Sequence, residues 1–277
     1  MSKVALVTGV APGSLGQATA DALREHGFRV LTTTRRCPVG ADTHPLELTS
    51  RDSVATLAAW LHETTRRLDV LVNNAGIHLD LRSTWSAPQL VEGDEVHWRT
   101  NYLGTAHLTR LALPLMLDTA RTVGEARVVN VVSKLHERGR NEGLDGHLTP
   151  YDSWAAYGTS KLALVHEAAE IERRFGDRGV HGYALHPGAL STNIAERGLE
   201  TAPLLQKMRK LLAPFERRAL GSPQAGARTV LFCATSPEAQ AGGYHRGGKP
   251  AAPSTEALDE EAARLLWEAT DKWVASP

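Results

Sequence analysis

The chain alternates short apolar runs of β character with stretches of helical periodicity from end to end. That alternation restricts the fold more than any single motif does. "KVALVTG" (3–9), "FRVLTTT" (28–34), "HPLEL" (44–48), "LDVLVNNAG" (68–76), "ARVVNVVS" (126–133) and "VHGYALHPG" (180–188) read as strands, with a weaker one at 243–245. Helical patterns fill 15–27, 50–67, 94–122, 153–176 and 222–235, and 255–274 closes the chain. Strands that are continuous apolar runs are buried on both faces, which calls for a parallel sheet with helices on each side. The expected fold is α/β: a doubly wound parallel sheet whose ligand lies beyond the carboxyl ends of the strands. The 277 residues hold no linker, repeat or low-complexity tract, so 1–277 reads as a single domain.

Charge narrows the partners. Thirty-one basic residues balance thirty-one acidic ones, so no global charge favours nucleic acid. No apolar run is long enough to span a bilayer, and "MSKVALVTG" is too short and too soon interrupted for a signal peptide. No membrane anchor and a cytoplasmic location are expected. Cys37 and Cys233 offer neither a metal-ligand spacing nor a disulfide framework, and no metal is expected.

"VTGVAPGSLGQATA" (7–20) joins the first strand to the first helix. Gly9, Gly13 and Gly16 allow a tight turn and a close approach of backbone to ligand. The following helix terminus offers free N–H groups and a positive dipole end to a pyrophosphate. A plain strand-to-helix loop has the same composition, but its place at the first strand of a parallel sheet favours a dinucleotide. After the second strand comes Arg35-Arg36. A site for NAD holds the ribose 2′-hydroxyl with an acid here, whereas two guanidinium groups suit a 2′-phosphate. Two solvated arginines are the plainer reading. The pair favours NADPH/NADP+ over NADH.

In "YGTSK" (157–161), Tyr157 and Lys161 lie four residues apart on a helix and share a face. An ammonium beside a phenol favours the phenolate and lowers its pKa from about 10. Such a pair can serve as a general acid or base. A surface Tyr and Lys would show the same spacing.

Taken in order, "TGVAPGSLG" (8–16), "NNAG" (73–76), Asn101 in "NYLGT", Ser133 in "VVNVVS", "YGTSK" and "HPGALST" (186–192) resemble the motifs of the short-chain dehydrogenase/reductase family, over nearly the whole chain. The resemblance implies a Rossmann fold and a catalytic tetrad. Tyr157 would exchange the proton with the substrate oxygen, and Ser133 would hydrogen-bond that oxygen. Lys161 would hold the nicotinamide ribose and depress the Tyr157 pKa, and Asn101 would hold a relay water. The cofactor would meet Gly9, Gly13, Ser14, Leu15 and Gly16 at its phosphates. Arg35, Arg36, Glu47 and Leu48 would surround the adenosine. Asn73, Asn74, Ala75 and Gly76 would line the ribose, and Pro187, Gly188 and Thr192 the nicotinamide.

Two features depart from the family pattern. The glycine motif is one residue longer than TGxxxGxG, with Ser14 where the middle glycine would align. In this it leans toward enoyl-acyl-carrier-protein reductases. Residues 134–156 are longer than in most of the family, which is similar to the retinol dehydrogenase-like and protochlorophyllide reductase-like branch. That branch implies a bulky apolar carbonyl substrate. Residues 189–221 would form a lid, and Leu204, Leu205, Met208, Leu211, Leu212 and Phe215 in it have near-helical spacing. A helix packed on the body reads equally well. His136, His147, Trp154 and His186 are candidate substrate contacts. Long helices such as 94–122 and 153–176 pair between subunits in much of the family, so a homodimer or homotetramer is expected. The leading reading is an NADPH-dependent reductase of ketones or aldehydes. The alternatives are a C=C or C=N reductase on the same scaffold and a non-catalytic nucleotide sensor.

Overall fold

The computed structural model describes residues 2–35, 40–79, 85, 87–189 and 221–276. The candidate lid apart from Ala189 and Gly221, together with Arg36, Cys37 and Thr192, lies outside the described residues.

The first half lays down β1 (Val4–Val7), α1 (Leu15–Glu25), β2 (Arg29–Thr34), β3 (Thr43–Pro45), α2 (Arg51–Thr64) and β4 (Val70–Asn73). A short hairpin follows, β5 (Leu90–Val91) and β6 (Asp94–Glu95), and then α3 (Gly104–Val123). The second half adds β7 (Ala126–Val131), α4 (Ser153–Phe175), β8 (Val180–His186), α5 (Pro223–Thr235), β9 (Tyr244–Arg246), β10 (Pro250–Ala251) and α6 (Glu260–Ala275). Among the described residues the main sheet runs β10-β9-β8-β7-β4-β1-β2-β3. All its pairings are parallel except β9 with β10 at the edge. From β1 the chain steps outward to β2 and β3, then returns to β4 on the other flank of β1. That reversal opens the crevice where such sheets take ligands.

The strands read as apolar runs because both faces are covered. Leu6, Leu71 and Val128 pack in one buried layer with helices α2 and α3. Ala5, Val7, Val72 and Val129 face the opposite layer with α1 and α5. Each fully buried Leu or Val contributes about 1.5–3 kcal/mol of transfer free energy. Helix starts follow side-chain capping chemistry. Ser14, Ser50, Asp152, Ser222 and Asp259 each accept a hydrogen bond from a first-turn amide. Helix α6 lies across α3 and α4: the Tyr102 hydroxyl meets Thr270 at 2.6 Å, and Arg110 reaches Asp271 at 2.8 Å. No helix among the described residues is long and apolar enough to cross a membrane.

The helix expected over 94–122 begins later. Residues 94–95 are a strand of the hairpin, which turns at Glu92 (φ 52°) and Gly93 (φ 90°). Positive φ at both central residues is the geometry of a two-residue hairpin turn. Residues Trp98–Leu103 then form a π-helical stretch before α3. The strand expected at 44–48 is confined to Thr43–Pro45, and the closing helix is preceded by a separate 3-10 turn at Glu256–Leu258.

Candidate active site

The strand-to-helix loop after β1 and the loop after β4 are sewn together at the sheet reversal. The Thr8 hydroxyl accepts the amides of Asn74 (3.0 Å) and Ala75 (2.9 Å), and the Asn74 side chain donates to the Thr8 carbonyl at 2.7 Å. Glycine is required at two points. A Cβ on Gly9, whose φ is +73°, would lie 2.8 Å from the Ala75 Cα, and one on Gly16 would lie 2.6 Å from the Gly9 carbonyl oxygen. Ser14 has a definite job: its hydroxyl accepts the amides of Gln17 (3.1 Å) and Ala11 (3.2 Å), capping α1 and closing the loop on itself. The lengthened motif therefore trades a glycine for a cap. Gly16→Ala should force the loop apart and weaken cofactor binding by about 1–3 kcal/mol, as overpacking does elsewhere. A fluorescence titration with NADPH measures it, and unchanged affinity would remove the loop from the binding site.

Other expected cofactor contacts are distributed unevenly. Arg35 is exposed just past β2, and Pro187 and Gly188 follow β8 directly. Leu48 is buried, and its carbonyl sits where a Cβ on Gly104 would fall, so it packs the loop onto α3. The Glu47 carboxylate caps its own turn, taking the Thr49 hydroxyl at 3.1 Å and its amide at 3.3 Å. Asn73 does not face the crevice. It is buried, and its amide donates to Thr109 (3.0 Å) and Asn130 (2.9 Å) in the core. Within "NNAG" the first Asn braces the core and the second sews the loops.

The tetrad residues converge at the carboxyl ends of β4 and β7. Tyr157 and Lys161 lie one turn apart on α4, both buried, with the Lys161 ammonium 5.9 Å from the centre of the phenol ring. Ser133, just past β7, lies beside the Tyr157 phenol, and its side chain pulls the phenol pKa down. The Lys161 ammonium donates to the Val131 carbonyl at 3.3 Å. Asn101 is fully buried: its carbonyl oxygen accepts the Ile77 amide (2.8 Å), and its NH2 donates to the Ile77 carbonyl (3.0 Å) and the Ser160 hydroxyl (3.1 Å). Gly76 is the common neighbour. A Cβ there would lie 3.1 Å from the Asn101 oxygen and 3.2 Å from the Lys161 nitrogen.

The electrostatics differ from the simple helical-pair argument. Burial pushes the Tyr157 phenol up to about 12, and the Ser133 side chain only partly opposes it. Burial also pulls the Lys161 ammonium down to about 8. Desolvation disfavours the charged form of each, and the expected lowering of the phenol by Lys161 is not among the causes of the Tyr157 shift. Near neutral pH the phenol is therefore a proton donor and the amine is largely charged.

A ring cluster surrounds Tyr157 that the motifs alone did not reveal. His78 stacks on the phenol with centroids 3.9 Å apart and planes 8° apart. His97 meets the phenol edge-on at 5.9 Å, and Trp154 meets His78 edge-on at 5.1 Å. The signal for His78 was its place two residues beyond Gly76, at the carboxyl end of β4. Of the substrate-contact candidates, His136 is structural. One ring nitrogen meets the Ser133 carbonyl at 2.8 Å, and the other accepts the Ser254 amide at 3.1 Å. His186 is half-buried, and burial with nearby Arg246 pulls its imidazole down to about 4. His147 helps line a cavity of about 320 Å³ beside Ala156, with Leu90, Glu95, Leu148 and Tyr151.

Known proteins share this fold. The family model described as short chain dehydrogenase matches residues 3–202. Retinol dehydrogenase 13 of Mus musculus is 32% identical over 286 residues, covering 96% of this chain and 81% of that protein. Among solved structures, an uncharacterized protein from Mycobacterium paratuberculosis superposes with a TM-score of 0.71 at 26% identity, covering 99% of this chain and 94% of that one. The Pseudomonas aeruginosa RhlG/NADP complex gives 0.65 at 25% identity, covering 92% and 96%. The chain belongs to the short-chain dehydrogenase family and is an NAD(P)-dependent oxidoreductase.

Proposed function

We propose that the protein reduces a ketone or aldehyde with NADPH and, in reverse, oxidises the alcohol. The observation that carries this reading is the convergence of Ser133 and Tyr157 with Lys161 and Asn101, the last two meeting at Gly76, at the sheet reversal. The loop suits a dinucleotide: Gly9 and Gly16 let it close tightly against Ala75 and on itself, and a Cβ at Gly13 would meet nothing within 4 Å, which leaves that part of the backbone open to a ligand. Ser14, Leu15 and Gly16 would hold the phosphates, and Arg35 and Arg36 the 2′-phosphate. Asn74, Ala75 and Gly76 would line the ribose, and Lys161, Pro187, Gly188 and Thr192 the nicotinamide side. Bound NADPH supplies the hydride. Tyr157 gives its proton to the carbonyl oxygen, and Ser133 hydrogen-bonds the same atom as negative charge develops there. The high phenol pKa keeps that proton in place until the oxygen becomes basic.

The relative's name speaks of retinol, an apolar alcohol, and this supports an apolar substrate here. Leu90 and Leu148 in the nearby cavity suit its body. NADPH consumption with a panel of ketones, aldehydes, enones and imines tests the reaction. Turnover restricted to enones or imines would overturn it. Arg35→Ala should cost NADPH affinity about 1.5–3 kcal/mol, the usual worth of a charge-assisted hydrogen bond, and leave NADH affinity unchanged. A parent protein that prefers NADH would refute the cofactor assignment.

A further inference from the structure

Four consecutive backbone positions, 76–79, each meet a different part of the active site. Gly76 abuts Asn101 and Lys161, Ile77 exchanges both of its backbone hydrogen bonds with Asn101, and His78 lies flat on the Tyr157 ring. Leu79 donates its amide to Nε2 of His97 at 3.2 Å. A backbone N–H only donates, so Nε2 carries the lone pair and the His97 proton resides on Nδ1. That Nδ1–H points at the Glu95 carboxylate, 2.8 Å away. Both residues are buried, His97 completely. The other Glu95 oxygen takes the Trp98 amide at 2.9 Å, and the Tyr151 hydroxyl adds a 3.3 Å contact. The carboxylate is thus held from three directions, and it fixes the tautomer of the imidazole that holds Leu79.

We propose that Glu95 and His97 are positioning residues of the reductase site, clamping the 76–79 loop so that His78 sets the plane of the Tyr157 phenol. The inference rests on Tyr157 being the proton donor, but neither residue touches the reacting atoms by this account. The hairpin β5–β6 gains a reason to exist: it delivers Glu95 to His97. The loop is pinned at Ile77 by Asn101 and at Leu79 by His97, and His78 is the residue between the pins. Releasing the second pin lets the imidazole tilt and the phenol follow. Displacement of about 1 Å at a reacting group can cost roughly a hundredfold in rate.

The test compares His97→Asn with His97→Gln. Asn retains a donor near Nδ1 but lacks an acceptor for Leu79, whereas the Gln carbonyl reaches the Nε2 position. In His97→Asn, kcat should fall by roughly ten- to a hundredfold with NADPH affinity and substrate KM unchanged. By amide exchange, Leu79 should lose protection while Ile77, held by Asn101, keeps its own. His97→Gln should restore both kcat and Leu79 protection. Parental kcat and parental Leu79 exchange in His97→Asn would overturn the proposal. So would an equal loss of kcat, cofactor affinity and thermal stability in both variants, which marks a merely structural residue. Full activity in Tyr157→Phe would instead refute the proposed mechanism, and Leu79 exchange would still decide whether His97 clamps the loop.

Discussion

Tyr157→Phe should lower the rate of carbonyl reduction by a factor of about 10²–10⁴, the usual contribution of a positioned general acid. Cofactor affinity should stay near the parental value. The substitution removes one oxygen and keeps the ring that His78 covers at 3.9 Å. The loss should therefore appear in kcat and in single-turnover hydride transfer, not in NADPH titrations. Burial pushes the phenol pKa up to about 12, so at pH 7 Tyr157 is neutral and carries the proton to be given. A variant that turned over at the parental rate would remove Tyr157 from the chemistry.

The second large effect is on stability. Glu167 is fully buried on α4 and takes the Arg110 guanidinium at 3.0 Å and the Asn130 amide at 3.1 Å. Arg110 also lies 3.3 Å from the Trp267 ring centre, and Asn130 continues the chain to Asn73 beneath the cofactor loop. Burial raises the Glu167 pKa, and Arg110 and Asn130 oppose the rise. Glu167→Ala removes the buried partner of the guanidinium and leaves it only the half-exposed Asp271. Loss of one partner of a buried pair costs about 3–5 kcal/mol, and the retained Asp271 contact holds the loss toward the lower figure. At this chain length that corresponds to a Tm lower by roughly 10 °C. Arg264, on the surface with Glu261 and Glu268, is the control, and its replacement by Ala should scarcely move the Tm. A Glu167→Ala midpoint as high as that of the control would show that the core pair carries no net weight.

The doubly wound sheet was legible because its strands are buried on both faces, which forces unbroken apolar runs such as Val4–Val7 and Val70–Val72. The convergence of Ser133, Tyr157 and Lys161 was legible because the first follows a strand end and the other two share one helix face, positions that motif spacing encodes. Other features left weaker traces. Strands of two residues, as in the β5–β6 hairpin, are too short to show a period, and the helical pattern read over 94–122 ran through β6. Whether an Asn turns inward or outward depends on its neighbours in space, which is why Asn73 was expected at the crevice and is found in the core. Spacing alone brought Tyr157 and Lys161 together but could not show that burial would set both pKa values. His97 reaches Leu79 across 18 residues of chain, a contact that no local pattern announces.

The π-helical stretch Trp98–Leu103 carries Asn101 to the Ile77 backbone. Such a wide turn accommodates one more residue per hydrogen-bonded ring than the α-helix it interrupts. The extra residue is taken up without breaking the rod. Its removal would rewind everything upstream of Gly104 by about 100° about the axis and swing the asparagine off its target. Chain length at this spot is therefore part of the specification of the site, as binding as the identity of any side chain in it.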